Sequence, residues 1–128
     1  MTPKYLVDTN ILIDYLRGLD GAVNFLEKIE EPLCISSLTV AELYAGVREG
    51  KERKILNTFI TAFEILPVNE NIARKGGLFR RDYGKSHGTD LIDSILAASA
   101  QTINAKLVTL NKKHFPMLAE IVIPYKRK

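Results

Sequence analysis

An α/β fold follows from the sequence: a three-layer α/β/α sandwich in which helices cover both faces of a mostly parallel sheet of about five strands. Three observations predict it. Short apolar runs alternate along the chain with segments of helical periodicity. The first run, Tyr5-Leu6-Val7, stops abruptly at Asp8 and gives way to Ile11, Leu12, Tyr15 and Leu16, which reads as a buried strand, a turn and a helix. The 128 residues, 46% of them apolar, suit a single domain, residues 1–128, with a sizeable core.

The remaining elements follow in order. Gly18 and Gly21 mark a turn after the first helix. Ala22, Val23, Phe25, Leu26 and Ile29 form the next amphipathic helix, ending near Glu30-Glu31-Pro32. Leu33 to Ile35 is a second short strand, broken by Ser36-Ser37, and a helix runs from Thr39 to about Gly46. Arg48 to Arg53 is charged and contains Gly50, so a solvated turn is expected there. Ile55, Leu56, Phe59, Ile60 and Phe63 line another helix. Glu64 to Val68 is a third strand, with Pro67 near its end or on an edge. Ile72 to Tyr83 reads as a helix weakened by Gly76-Gly77, and Gly84 to Thr89 as a loop. Asp90 to Ala105 carries the strongest helical pattern, with small residues that permit close packing. Lys106 to Thr109 and Ile121 to Ile123 are the last two strands. The basic tail Lys126-Arg127-Lys128 is expected to fray.

Composition narrows the function. A net charge of +3 permits contact with phosphates without announcing a nucleic-acid binder. No apolar run is long enough to span a bilayer. Asp8 and Asp14 interrupt the N-terminal apolar stretch, so no signal peptide is expected. The single cysteine, Cys34, lies in an apolar stretch and has no internal partner, which suits a cytoplasmic protein. His87 and His114 are isolated and read as loop or surface residues. No phosphate-binding glycine loop is present.

Three carboxylates occupy places that surface logic does not favour. Asp8 ends the first strand, Glu42 lies in the first turn of the helix after the second, and Asp93 in the first turn of the helix before the fourth. In a right-handed parallel layout, strand C-termini and the starts of the following helices line one edge of the sheet. Each acid also has a purely structural reading. Asp8, Thr9 or Asn10 can cap the first helix. Thr39-Val-Ala-Glu42 fits a capping box. Asp90 fits an N-cap, with Asp93 complementing the helix dipole. Asp93, however, is flanked by apolar residues, and a carboxylate beside a core face needs a partner. Converged carboxylates repel, and a hard divalent ion, Mg²⁺ or Mn²⁺, relieves that repulsion. Such an ion also activates water and stabilises phosphoryl charge. Thr109 and Asn111, at the end of the fourth strand, can complete the shell, or Asn111 can cap the short Lys112–Phe115 segment.

Four segments resemble the PIN-domain family, and within it the VapC-type toxins of toxin–antitoxin pairs. They are Leu6-Val-Asp-Thr-Asn-Ile-Leu-Ile-Asp14, Ser36-Ser-Leu-Thr-Val-Ala-Glu-Leu-Tyr-Ala-Gly46, Asp93-Ser-Ile-Leu-Ala-Ala-Ser-Ala100 and Leu107-Val-Thr-Leu-Asn-Lys-Lys-His-Phe115. The resemblance implies a metal-dependent endoribonuclease in which Asp8, Glu42 and Asp93 are catalytic and hold the metal. Attack by an activated water then leaves a 5′-phosphate and a 3′-hydroxyl. Asn111 falls where many members carry a further Asp, which puts a second metal in doubt; Asp90, one helical turn before Asp93, could substitute. Thr9 and Thr109 match hydroxyl positions near the metal. The resemblance further implies a homodimer silenced by a small antitoxin that covers the acidic groove, with Tyr15, Leu16, Tyr44 and Val47 as contact residues or as ordinary core.

Lys75, Arg80, Arg81, Lys85, Lys112 and Lys113 are candidates to grip RNA phosphates, with Arg80, Arg81 and Lys112 foremost; the alternative is that they decorate solvated faces. Two other functions fit the same chain. One is a non-catalytic binding module on this fold. The other is a structure-specific DNA nuclease, disfavoured because the chain lacks insertions to clasp a junction.

Overall fold

The computed structural model describes residues 4–127. Its elements are β1 (Tyr5–Val7), α1 (Thr9–Leu16), α2 (Asp20–Lys28), β2 (Leu33–Ser36), α3 (Ser37–Ala45), α4 (Lys51–Ile60), β3 (Glu64–Leu66), α5 (Glu70–His87), α6 (Leu91–Thr102), β4 (Lys106–Val108), a 3-10 turn (Lys112–His114) and β5 (Ile121–Val122). The strands form one sheet in the order β3-β2-β1-β4-β5, and every pairing is parallel. From β1 the chain builds outward through β2 and β3, then crosses back to lay β4 on the other side of β1. The switch point of the sheet therefore lies between β1 and β4, where open α/β sheets place their ligands.

Two apolar cores sandwich the sheet, and the period of the strands assigns residues to them. Leu6, Cys34 and Leu107 face one core with Leu96, Ala97, Ala100 and Phe115. Val7, Ile35 and Val108 face the other with Ile11, Leu12, Leu43 and Leu56. The first core is roofed by α5 and α6, the second by α1 to α4. Packing accounts for one of the two glycines in α5: a Cβ at Gly76 would lie 2.8 Å from Ile95 Cγ1 and 3.0 Å from its Cα. The helix accepts the propensity cost of Gly76 so that α6 can pack directly against it.

Several boundaries differ from the sequence reading. Ser36 does not break the second strand. It is the last residue of β2 and the N-cap of α3, its side chain accepting from the Leu38 amide at 3.1 Å. Thr39 is therefore inside α3, and the Thr39–Glu42 capping box does not form. The expected turn at Arg48–Arg53 is helical from Lys51 onward, with Gly50 at its N-cap. The expected loop at Gly84–Thr89 is helical through His87. The Tyr83 and His87 rings meet edge to face and Lys85 and His87 complement the helix dipole.

The basic tail is pinned at Arg127. Its Nε donates to Asp14 Oδ2 at 3.0 Å and its Nη2 to Oδ1 at 2.7 Å, while Tyr125 donates its hydroxyl to Oδ2 at 2.6 Å. Asp14 is buried, and these bonds satisfy a carboxylate that the sequence reading left unpartnered. Lys128, the last residue of that tail, lies outside the described residues. No helix among the described residues is long and apolar enough to cross a membrane.

Candidate active site

Asp8 follows the last residue of β1, and Thr109 follows the last residue of β4. The two side chains close the switch point: Thr109 Oγ1 donates to Asp8 Oδ2 at 2.8 Å. Both residues are buried. Asp8 stands at the N-cap of α1 but makes no side-chain cap bond. The capping reading of Asp8 thus gives way to a buried carboxylate held by a hydroxyl from the neighbouring strand. Burial raises the pKa of Asp8 and the nearby Glu42 charge adds to that. The Thr109 hydroxyl and the Thr9 and Asn10 amides offset only part of the rise.

Glu42 reaches toward the same edge from α3. Thr9 Oγ1 donates to its Oε1 at 2.6 Å and lies 3.1 Å from Thr39 Oγ1. Thr9 and Thr39 are buried whereas Glu42 is exposed. A hydroxyl from the first turn of α1 therefore orients a carboxylate that is otherwise free in solvent.

Asp93 enters from the first turn of α6. Asp90 is the N-cap of that helix, accepting from the Asp93 amide at 2.8 Å. Burial, and then the charges of Asp90 and Asp8, raise the Asp93 carboxyl from the usual carboxylate range to about 7. These charge effects link Glu42 to Asp8, and Asp8 to Asp93. Asp8 is thus the acid through which the other two are coupled. Among the described residues, no three His, Cys, Asp or Glu side chains close into a ready-made cage for an ion.

The other expected residues are distributed less evenly. Asn111 occupies the N-cap of the 3-10 turn without a side-chain cap bond, and its amide donates to Thr109 Oγ1 at 3.1 Å. Asn111 thus helps position the hydroxyl that holds Asp8. Lys112 is exposed on the same turn. Arg80 and Arg81 are exposed on α5, and Arg81 pairs with Asp82 at 2.8 Å. Neither arginine pairs with an acid of the centre.

The sequence reading missed His114. Its Nδ1 stands 3.3 Å from Asp93 Oδ2. The available signal was spacing: His114 follows Asn111 by three residues, one turn of a 3-10 helix, so a turn that places Asn111 at the sheet edge returns His114 to it.

A family model of the PIN domain matches residues 5–121. Ribonuclease VapC19 of Mycobacterium tuberculosis is 41% identical over 124 residues, covering 94% of this chain and 98% of that protein. Ribonuclease VapC10 of the same species is 37% identical over 123 residues, covering 94% and 92%. A toxin–antitoxin complex from Klebsiella pneumoniae contains a chain that superposes with a TM-score of 0.83 at 29% identity, over 96% of this chain and 99% of that one. VapBC2 from Rickettsia felis, bound to a DNA fragment from its promoter, superposes with a TM-score of 0.71 at 26% identity, over 93% and 96%.

Proposed function

The chain belongs to the PIN-domain family, and on that premise we propose that its acidic centre is that of a VapC-type ribonuclease. It is the toxin of a toxin–antitoxin pair, an endonuclease that hydrolyses RNA phosphodiesters with a divalent cation, Mg²⁺ or Mn²⁺. One observation carries this reading: Asp8, at the switch point of the sheet, feels the charge of Glu42 from α3 and itself acts on Asp93 from α6, so one buried carboxylate couples acids from three separate segments.

The donor set fits such an ion. It consists of carboxylates and hydroxyls, the hard oxygen ligands these cations take. Burial and mutual repulsion hold Asp8 and Asp93 toward their protonated forms, an imbalance that positive charge removes. Mg²⁺ keeps several waters and needs only one or two carboxylates, so a closed three-acid cage is not required. Asp8, Glu42 and Asp93 would hold the cation, with Asn111 or Asp90 completing the shell. When bound, it supplies a lowered water pKa and charge stabilisation on the phosphoryl group.

The chain's own residues do the rest. Thr109 fixes Asp8, and Thr9 fixes Glu42 in an orientation that its exposure lets it leave. In the metal-free chain Asp93 keeps its proton up to about pH 7. Lys112, Arg80 and Arg81 draw the RNA backbone toward the acidic edge, as positive side chains do for phosphates generally.

The antitoxin is a small VapB-like protein. A cleft of 570 Å³ between α1, α3 and α4 carries Glu42 in its lining together with Leu16, Leu43, Val47 and Ile55. Leu16 and Ile55 are exposed there. Tyr15, also expected at this contact, stacks on Phe59 with centroids 5.2 Å apart, and Tyr44 and Val47 are half-buried against the core. An apolar segment laid in that cleft would end beside an active-site acid. The protein acts in the cytoplasm, where RNA and a reduced Cys34 belong. It works as a homodimer, which light scattering on the antitoxin-free chain tests.

The decisive experiment uses the purified chain stripped of any partner. RNA is cut in Mg²⁺ or Mn²⁺, cutting stops with EDTA, and Asp8→Asn and Asp93→Asn each abolish it while remaining folded by circular dichroism. Uncut RNA from the wild type in both metals overturns the reading. So does an Asp8→Asn variant that cuts at the wild-type rate. DNA supplied alongside RNA separates a ribonuclease from a DNA nuclease.

A further inference from the structure

His114 is held at the rim of the acidic centre from three sides. Its backbone amide donates to the Asn111 carbonyl at 3.0 Å. Its carbonyl accepts the Thr89 hydroxyl at 2.6 Å, and Thr89 is itself buried. The next residue, Phe115, is buried in the core under α6. Gly88, in the left-handed conformation at φ +66°, turns the chain out of α5 beside the His114 ring. The same short connection carries Thr89, which grips His114, and Asp90, which caps α6. The 3-10 turn and the first turn of α6 are therefore locked together, with the imidazole between them.

The ring itself is only half-buried, so it is not core packing. Its Nδ1 stands 3.3 Å from Asp93 Oδ2, within ion-pair distance. Among the described residues, no other Lys, Arg or His nitrogen lies within ion-pair distance of that carboxylate. The charges of Asp90 and Asp8 repel it, although Asp90 also hydrogen-bonds to it.

We propose that His114 is a positioning residue for Asp93, its imidazole Nδ1 holding the carboxylate in the rotamer that serves the cation. The inference rests on the ribonuclease reading and adds to it a group that touches neither cation nor RNA. A carboxylate ligand is effective when one oxygen is fixed by a directional partner, leaving the other to address the metal. Removing such partners typically weakens metal binding by about 10–100-fold. Thr89 and Asn111 supply the rigidity, because a donor on a loose turn would orient nothing.

The test compares His114→Asn with His114→Leu. The two side chains are close in size, and only Asn keeps an N–H donor near the position of Nδ1. The probe is Mn²⁺ alone, titrated by calorimetry into the full-length, partner-free chain at about pH 8, above the Asp93 range. His114→Leu is expected to bind Mn²⁺ about tenfold or more weakly, and His114→Asn within about threefold of wild type. In cleavage assays at saturating Mn²⁺ the KM for RNA stays unchanged in both. Equal Mn²⁺ affinity in wild type and His114→Leu overturns the proposal and leaves the ribonuclease reading intact. Equal weakening in both variants also overturns it, since the donor would then be irrelevant. A wild type that neither binds Mn²⁺ nor cuts RNA removes the premise and the inference together. Thermal melts accompany each titration. If His114→Leu melts early, His114→Ala takes its place against His114→Asn.

Discussion

Thr109 donates its hydroxyl to Asp8 Oδ2 at 2.8 Å although 101 positions separate the two residues. The bond spans the switch point between β1 and β4, and both partners are shielded from water. Thr109→Val keeps the shape and deletes the donor. It should cost about 1–3 kcal/mol at neutral pH, the range for leaving a buried polar group unpaired. The loss should shrink in acid, where Asp8 is protonated and needs the donor less. Urea unfolding at the two pH values measures the difference. A variant as stable as wild type at neutral pH would mean that the hydroxyl does not support the carboxylate.

The raised pKa of Asp93 has a definite sign in stability. The unfolded carboxyl titrates near 3.8 and the folded one near 7. Between those values the folded chain retains a proton that the unfolded chain has released. Stability of the metal-free protein therefore falls as pH rises through that window and levels off above it. In EDTA, the Tm of the wild type should decline from about pH 5 to about pH 7.5, and the contribution of this group should vanish in Asp93→Asn. Adding Mn²⁺ at the upper pH should raise the wild-type Tm and leave that of the variant unmoved. Asp14 works in the opposite sense. Burial pushes its pKa up, but the Arg127 and Tyr125 bonds outweigh this and hold it low. Its contribution is present above the unfolded value and is lost as pH drops through the folded one.

Gly21 marks where the C-terminal segment crosses α2. A Cβ there would lie 2.7 Å from Tyr125 Cγ and 2.9 Å from its Cβ and Cδ2. Gly21→Ala should displace Tyr125 and loosen its bond to Asp14, destabilising the fold by about 1–3 kcal/mol through overpacking. Arg127→Ala should cost less, about 1–2 kcal/mol, because its guanidinium is half exposed to water. Combining the two should give less than the sum, since both act on the same carboxylate. Urea unfolding of the single and double variants measures the coupling; additive losses would show that the two contacts are independent.

Much of the architecture was legible because it depends on periodicity. Alternation at two residues assigns Leu6 and Val7 to opposite cores, and spacing at three and four residues marks the helices. The position of Asp8 follows from the parallel layout, since strand C-termini share an edge; Glu42, expected in the first turn of its helix, lies in the second because α3 starts at Ser37. What periodicity misplaced were element ends. Ser36 serves as both strand terminus and helix cap, and α4 and α5 extend through charged or glycine-containing residues whose helical state is decided by neighbours. Thr39–Glu42 matched a capping pattern that fails because the N-cap is Ser36, three residues earlier.

The sequence by itself determined the fold class, the parallel sheet and the place of Asp8 at its switch point. These rest on local spacing and on a connection rule that holds for any right-handed α/β chain. Only the tertiary structure decided which groups meet Asp8, Glu42 and Asp93, and which hold the separate Asp14. Thr109 reaches Asp8, Thr9 reaches Glu42, His114 faces Asp93, and Arg127 with Tyr125 claims Asp14. Each of these partners is set by side-chain directions across different elements, and the two bonded to Asp14 lie more than a hundred positions away along the chain. No local pattern encodes that geometry, because it arises when the two helical layers close over the sheet.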